Sequence, residues 1–277
     1  MARCVSSGRV AIIGHVEWVT HATGRFPPAG GIADLGEPFS EPAGGGGVAA
    51  CAAARLGAPT VLITALGDDS AARDSGAILS ARGIDLVIAH RQGPQTPALS
   101  ACDASGERSI TVVGPRLQAR GDEPLEWGRI DPAGAAYYAG EDPGALAHAR
   151  RAAMLVVTAR RLEDLVAAGV RADVVVGSAS DPDEDPRRVR PAIAPRFIVM
   201  TDGPRGGTVV ESGGRQERFA AVRPPGAVVD SYGCGDSFAA GLTVGLARGL
   251  NIGQAVHLGA LAGAECTTWR GGIGPAT

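Results

Sequence analysis

Toward its C-terminal end the chain reads Val228-Val229-Asp230-Ser231-Tyr232-Gly233-Cys234-Gly235-Asp236-Ser237-Phe238-Ala239-Ala240-Gly241-Leu242. An apolar pair ends in an acid. A small hydroxyl residue and two glycines spaced by one follow, and a second acid opens a run of apolar and small residues. That run predicts a helix over about 234–248. Glycines ahead of it let backbone N–H groups converge with no Cβ in the way. The partial positive charge of a helix N-terminus then makes the turn an anion site. Asp236 falls in the first helical turn, where a carboxylate is an ordinary capping residue. Beside an anion hole it also suits phosphoryl transfer: one group takes the acceptor's proton while nearby donors stabilise the moving phosphoryl.

The 277 residues suffice for one large α/β domain or two small ones. A net charge of −3 leaves no basic excess to suggest nucleic acid or an anionic membrane as partner. No apolar run approaches the ~18–20 residues of a membrane span. The first nine residues are polar and lack the apolar core of a secretion signal. The expected location is therefore cytoplasmic. Cys4, Cys51, Cys102, Cys234 and Cys266 are odd in number and lack C-x-x-C spacing, which argues against a disulfide framework and a structural zinc site. The basic residues are all arginine. Without a lysine the chain cannot be a P-loop NTPase, and phosphate must be neutralised by backbone N–H groups, arginine or a metal ion. A dinucleotide fingerprint is missing after the first apolar run, Val10-Ala11-Ile12-Ile13-Gly14.

Apolar runs at 10–14, 60–66, 86–89, 135–139, 154–158, 174–176 and 197–200 predict strands. Helical stretches at 48–56, 70–82, 143–151, 162–168, 234–248 and 252–267 alternate with them or follow them. The alternation implies parallel β-α-β units, a layered sheet with helices on both faces and functional loops at the carboxyl ends of the strands. Residues 97–101 and 109–113 flank a Gly-containing turn and predict a hairpin, as do 207–210 and 218–220. Residues 17–42 are Gly/Pro-rich and read as a lid excursion. Residues 181–190 read as a solvated charged loop.

The stretch 230–236 resembles the D-T-x-G-A-G-D signature of the ribokinase-like (PfkB) carbohydrate kinases, with Ser231 for Thr and Cys234 for Ala. The order of elements is similar to that family over nearly the whole chain. The resemblance implies a single three-layer α/β domain over 1–277: a mostly parallel central sheet with helices on both faces, and a small β lid from segments 15–42 and 97–113. It implies an ATP- and Mg²⁺-dependent kinase acting on a hydroxyl of a small sugar-like metabolite. Asp236 would be the base, and the N–H groups of Gly233, Cys234 and Gly235 the anion hole. Ser231 would contact the nucleotide phosphates and Asp230 would fix the turn. Thr201, Gly203 and Gly206, in Thr201-Asp202-Gly203-Pro204-Arg205-Gly206-Gly207, resemble the family's nucleotide-flanking segment.

Departures from the pattern fall on the acceptor side. The family's G-G-K-x-x-N is replaced by a run that includes Gly44, Gly45 and Val48. Its N-x-D is replaced by His15 and Glu17, which are expected to hold a different pattern of hydroxyls. Ser178-Ala179-Ser180-Asp181 stands in the register of the N-x-x-E motif, placing Ser178 beside the nucleotide and Asp181 near the metal, with Asp183 and Glu184 close enough to substitute. Arg108, at the turn of the lid hairpin, is suited to clamp substrate or phosphate. Two alternatives stay open: a nucleoside acceptor, and a ligand-binding member of the fold that does not turn over. Family lids often pair between subunits, so a homodimer through the lid is expected.

Overall fold

The structure, a computed structural model, describes residues 8–186 and 193–276. Cys4 and part of the charged 181–190 loop lie outside the described residues. Strand β1 (Val10–Gly14) is buried at every position and lies between β4 (Thr60–Leu66) and β8 (Ala135–Ala139), parallel to both. β5 (Asp85–His90) extends the sheet beyond β4. On the other side β9 (Met154–Thr158), β10 (Val174–Ser178) and β11 (Phe197–Thr201) continue in parallel. The antiparallel hairpin of β12 (Gly207–Glu211) and β13 (Gln216–Phe219) closes that edge, giving nine strands. The chain grows the sheet first one way from β1 and then the other. The β1–β8 boundary is therefore a topological switch point, where a crevice opens at the carboxyl ends of the strands.

Period-two alternation sorts the core into two layers. Val10, Ile12, Leu62, Tyr137 and Val156 face α1 (Gly44–Arg55), α2 (Ser70–Ala81), α5 (Cys234–Ala247) and α6 (Ile252–Cys266). Ala11, Ile13, Val61, Tyr138 and Val157 face α3 (Pro143–Ala149) and α4 (Leu162–Ala168). The expected helices on both faces of a mostly parallel sheet are present.

The expected β lid is present: segment 15–42 supplies two strands, β2 (Glu17–Thr23) and β3 (Gly36–Ala43). They join β6 (Pro97–Cys102) and β7 (Arg108–Val112) in a second sheet ordered β3-β2-β6-β7. The inward positions of β2 are Glu17, Val19 and His21, so polar residues stand where an apolar alternation would have announced the strand. One expectation needs correction: α1 begins at Gly44 rather than at Val48. A glycine run is a poor helix former, and tertiary contact overrides that preference here. A Cβ on Gly46 would lie 2.6 Å from the carbonyl carbon of Gly14, and one on Gly47 would lie 2.9 Å from the oxygen of Pro42. The N–H of Gly46 donates to the oxygen of His15 at 2.9 Å. The first turn of α1 is thus pressed backbone to backbone against the end of β1.

Gly46→Ala is expected to lower stability by about 1–3 kcal/mol, the cost of overpacking. Gly128→Ala, whose Cβ would meet nothing within 4 Å, should stay within about 0.5 kcal/mol. Urea midpoints at unchanged m-value would check both.

Candidate active site

The signature turn is held from behind. Asp230 is buried, and its carboxylate accepts from the N–H of Tyr232 at 2.9 Å and of Gly271 at 3.0 Å. With both oxygens committed to main chain, Asp230 shapes the turn. Gly233 has φ +74°, and a Cβ there would lie 2.9 Å from Val48 Cγ1 and 3.0 Å from Gly272 Cα. Glycine is required both for the left-handed backbone and for space. Gly235 is exposed, and a Cβ there would meet nothing within 4 Å, so this side of the turn is open to a ligand. The first helical bond of α5 runs from Ser237 N–H to Gly233 O at 2.9 Å, while Cys234 N–H reaches Ser231 O only at 3.5 Å. The N–H groups at the start of α5 therefore lie ahead of its regular bonding and point outward along the axis.

Asp236 sits in this first turn, at the switch-point crevice, with part of its surface still open. Its Oδ1 accepts from the hydroxyl of Tyr137 in β8 at 3.2 Å. Desolvation by the surrounding protein lifts the Asp236 pKa to about 7, with Glu184 and Glu17 adding repulsion and Tyr137 and Arg108 opposing the rise. Gly45 passes directly beneath. A Cβ on Gly45 would lie 3.3 Å from Asp236 Oδ1 and 3.4 Å from the His15 ring.

His15 follows β1. Its Nε2 accepts from Gly45 N–H at 3.2 Å, and burial, with Arg116 and Arg161 nearby, lowers its pKa to about 3, so the ring is neutral. Glu17 is buried too, and its carboxylate is held by Arg116 Nε at 2.7 Å. Arg116 also approaches Glu141 at 3.6 Å, and Glu141 pairs with Arg161. Carboxylates and guanidinium groups thus alternate along one wall. Gly44, at φ +78°, fits against the His15 ring. Val48 is buried against Gly233 and Gly272 and so does not line the crevice.

On the lid, Arg108 Nη1 donates to Ser231 Oγ at 3.1 Å, and Ser231 N–H donates to Gly106 O at 3.3 Å. The hairpin turn is therefore docked on the signature loop. Past β10, Asp181 caps a short turn, accepting from Asp183 N–H, and pairs with Arg160. Glu184 is the buried acid of this loop. It accepts from Ser178 N–H, pairs with Arg160 Nε at 3.0 Å, and has its pKa raised by burial. Of the acids in this loop, it is Glu184 whose charge reaches Asp236 and Tyr137. Ser178 Oγ bonds Ser180 Oγ at 2.8 Å, and Thr201 Oγ1 donates to Gly177 O at 3.1 Å. Gly203 and Gly206 both have positive φ, and Gly206 packs on the end of β13. Next to it a cleft of about 300 Å³ opens between Phe219, Ala220 and Val222 on one side and Gly253, Val256 and His257 of α6 on the other.

The crevice thus gathers His15, Glu17, Gly44, Gly45, Arg108, Ser231 and Gly233 to Asp236. Ser178, Asp181, Thr201, Gly203 and Gly206 lie on the neighbouring strand ends and their loops. Sequence reasoning missed Tyr137, Arg116 and Glu141. Two tyrosines in one predicted strand were a signal, since neighbours in a strand face opposite sides and each buried hydroxyl needs a partner.

The sequence matches the pfkB family carbohydrate kinase over residues 8–161 and 172–277. It is 41% identical over 83 residues to an acarbose 7(IV)-phosphotransferase of Actinoplanes sp., a match covering 30% of this chain and 28% of that relative's length. An adenosine kinase from Sinorhizobium meliloti has the same fold, with a TM-score of 0.80 at 18% identity and coverage of 97% of this chain and 96% of the other. A ribokinase from Arabidopsis thaliana, solved with ribose and ATP, superposes with a TM-score of 0.72 at 16% identity over 96% and 94% of the chains. The chain has a ribokinase-like fold and belongs to the pfkB family carbohydrate kinases, phosphotransferases with an alcohol group as acceptor.

Proposed function

We propose that this protein transfers the γ-phosphoryl group of ATP to a hydroxyl of a small sugar-like metabolite, with Asp236 as the base. The observation that carries this reading is a partly desolvated carboxylate with one oxygen taken by Tyr137, set directly before the outward N–H groups of a helix start. A base with a pKa near the working pH combines a useful ionised fraction with real proton affinity. Asp236 Oδ2 would orient the acceptor hydroxyl and take its proton as the new O–P bond forms. The N–H groups of Gly233, Cys234 and Gly235 would hold the equatorial oxygens, aided by Arg108 from the lid. His15 and Glu17, fixed by Gly45 and Arg116, would receive neighbouring hydroxyls of the acceptor. The lid sheet would keep water out while the phosphoryl is in transit.

The residues present fit the nucleotide. The cleft of about 300 Å³ at α6 would take the base of the nucleotide, and the open face of Gly235, where a Cβ would meet nothing within 4 Å, its phosphates. For Mg²⁺, no group of three or more His, Cys, Asp or Glu among the described residues is placed to cage an ion. That agrees with an ion carried largely by phosphates and water and steadied by one or two carboxylates. Both acids of the loop pair with Arg160, and Glu184, whose charge reaches Asp236, suits that place better than Asp181. When bound, MgATP supplies the phosphoryl group and the charge neutralisation that the lysine-free chain lacks.

A sugar-like acceptor is favoured over a nucleoside by the state of the lid aromatics. Phe39 is already stacked on His21 at 4.9 Å and covered by Arg270 at 5.1 Å, leaving Trp18 and Phe26 as the lid rings to hold a base.

ATP consumption with Mg²⁺ across a panel of sugars, sugar acids and nucleosides is expected to show turnover on one class. Asp236→Asn should reduce it by about 10²–10⁴-fold. Full turnover in that variant with ATP still bound would overturn the assignment of the base. The rate should rise with pH through a midpoint near 7, where Asp236 ionises. The same elevated pKa makes the native state bind a proton that the unfolded state has released. Stability therefore falls as pH rises from about 4 toward 7. Asp236→Asn removes that penalty, so its melting temperature should exceed wild type by up to about 10 °C at pH 8 and match it at pH 4.

A further inference from the structure

We propose that Tyr137 is a positioning residue for the reaction: its hydroxyl fixes one oxygen of the Asp236 carboxylate, so that the other faces the acceptor, and favours the ionised form. The inference rests on Asp236 being the base, as above, but its geometry stands independently. Tyr137 is 2 % exposed and lies on the α5 face of β8, opposite Ile12 of β1 in register. Its hydroxyl makes the only hydrogen bond to the Asp236 carboxylate among the described residues, at 3.2 Å to Oδ1.

The direction of that bond is settled by chemistry. Burial, with the charges of Asp236 and Glu184, pushes the phenol pKa well above its ordinary value, so Tyr137 keeps its proton and donates. A donor that cannot ionise stabilises a carboxylate and opposes its protonation. The other groups facing Asp236 do different things. Glu184, in the loop after β10, and Glu17 of β2 repel its charge. Arg108 of β7 attracts it from the lid, but it is exposed and already bonded to Ser231. His15 is neutral and committed to Gly45. α1 brings only Gly45 against the carboxylate, so neither a side-chain donor nor a charge arrives from below. Tyr137 alone supplies a fixed, buried donor. The remaining oxygen is then free to take a hydroxyl proton without the carboxylate rotating, which is the precondition for an in-line approach.

The test reads Asp236 directly and needs no acceptor. Protein labelled with ¹³C at the aspartate carboxyl carbons is titrated by NMR, and the Asp236 resonance is assigned by its loss in Asp236→Asn. The expected midpoint is near pH 7 in wild type. In Tyr137→Phe it should rise by about one to two pH units, the effect of losing a hydrogen bond to a charged group. Tyr138→Phe is the control. That phenol lies on the opposite face of the sheet, bonded to the main chain of Asp142, and its loss should leave the midpoint in place. Site-specific 3-fluorotyrosine at position 137, a stronger donor of the same shape, should move the midpoint down.

With the acceptor found in the panel, Tyr137→Phe should lose about 5- to 50-fold in kcat at pH 7, with KM little changed, and recover most of it above pH 9. An unmoved Asp236 midpoint in both position-137 variants would overturn the proposal, as would an equal loss of kcat at every pH. Failure of the parent reading looks different: Asp236→Asn would then turn over normally whatever the titrations show.

Discussion

The N-terminus of α5 is positioned by the need of a buried carboxylate for donors. Asp230 cannot stay buried and charged unless its oxygens are satisfied, and here they are satisfied by main-chain N–H groups of Tyr232 and Gly271. Those two bonds join the signature turn to the loop after α6. A second buried acid, Glu41 of β3, accepts from Gly272 and Ile273 N–H in the same loop. The pair ties the start of α5, the C-terminal loop and one strand of the lid into a single unit. Glycine recurs at the contacts because side chains press directly on the main chain there: a Cβ on Gly272 would lie 2.6 Å from Val48 Cγ2, and one on Gly271 would lie 2.6 Å from Glu41 Oε1. The signature turn and Asp236 therefore share one rigid origin, and the lid is anchored close to both.

The absence of lysine leaves its mark on the site. A lysine could have offered a mobile point charge; this chain uses fixed, planar guanidinium groups instead. Along the wall of the crevice they are neutralised in sequence, Glu17 by Arg116 and Glu141 by Arg116 and Arg161. Arg160 takes Asp181 and Glu184. Arg108 is the exception: its hydrogen bond is to a neutral hydroxyl, so its charge is the one most available to an incoming anion. The wall of Glu17, Glu141, Arg116 and Arg161 is thus near electrical balance, while Arg108 keeps a charge unpaired among the described residues, beside Ser231 at the signature turn. Such a division suits a polar acceptor on one side and a phosphate chain on the other.

Much of the architecture was legible along the chain. Apolar strand runs such as Val10–Gly14 and Thr60–Leu66 are buried on both sides, so they read without ambiguity. The signature turn was legible because its chemistry is local: glycines at fixed offsets, a cap-like acid and a small-residue helix all sit within fifteen residues. The lid hairpin of β6 and β7 was legible too, but the bounds of β2 and β3 were not, since Glu17 and His21 point inward and gain their partners from distant segments, Arg116 for the first and Glu41 for the second. Nor was the early start of α1, where helix propensity and tertiary contact disagree and contact wins. Glu184 and Asp181 illustrate the same limit. Three residues apart in one acidic loop, they are separated in role by burial, which depends on how the loop folds over Gly177.

By itself the sequence determined the layered α/β plan, the anion-binding turn and the identity of the acid beside it, because periodicity, glycine placement and helix-start chemistry are properties of neighbours along the chain. The tertiary structure alone decided which oxygen of Asp236 is occupied, that His15 is neutral, that Glu17 is tethered, and that Tyr137 rather than Tyr138 faces Asp236. Each of these depends on burial and on donors brought together from remote strands, and the protonation state that a carboxylate or an imidazole has in water is reset only once those neighbours are in place.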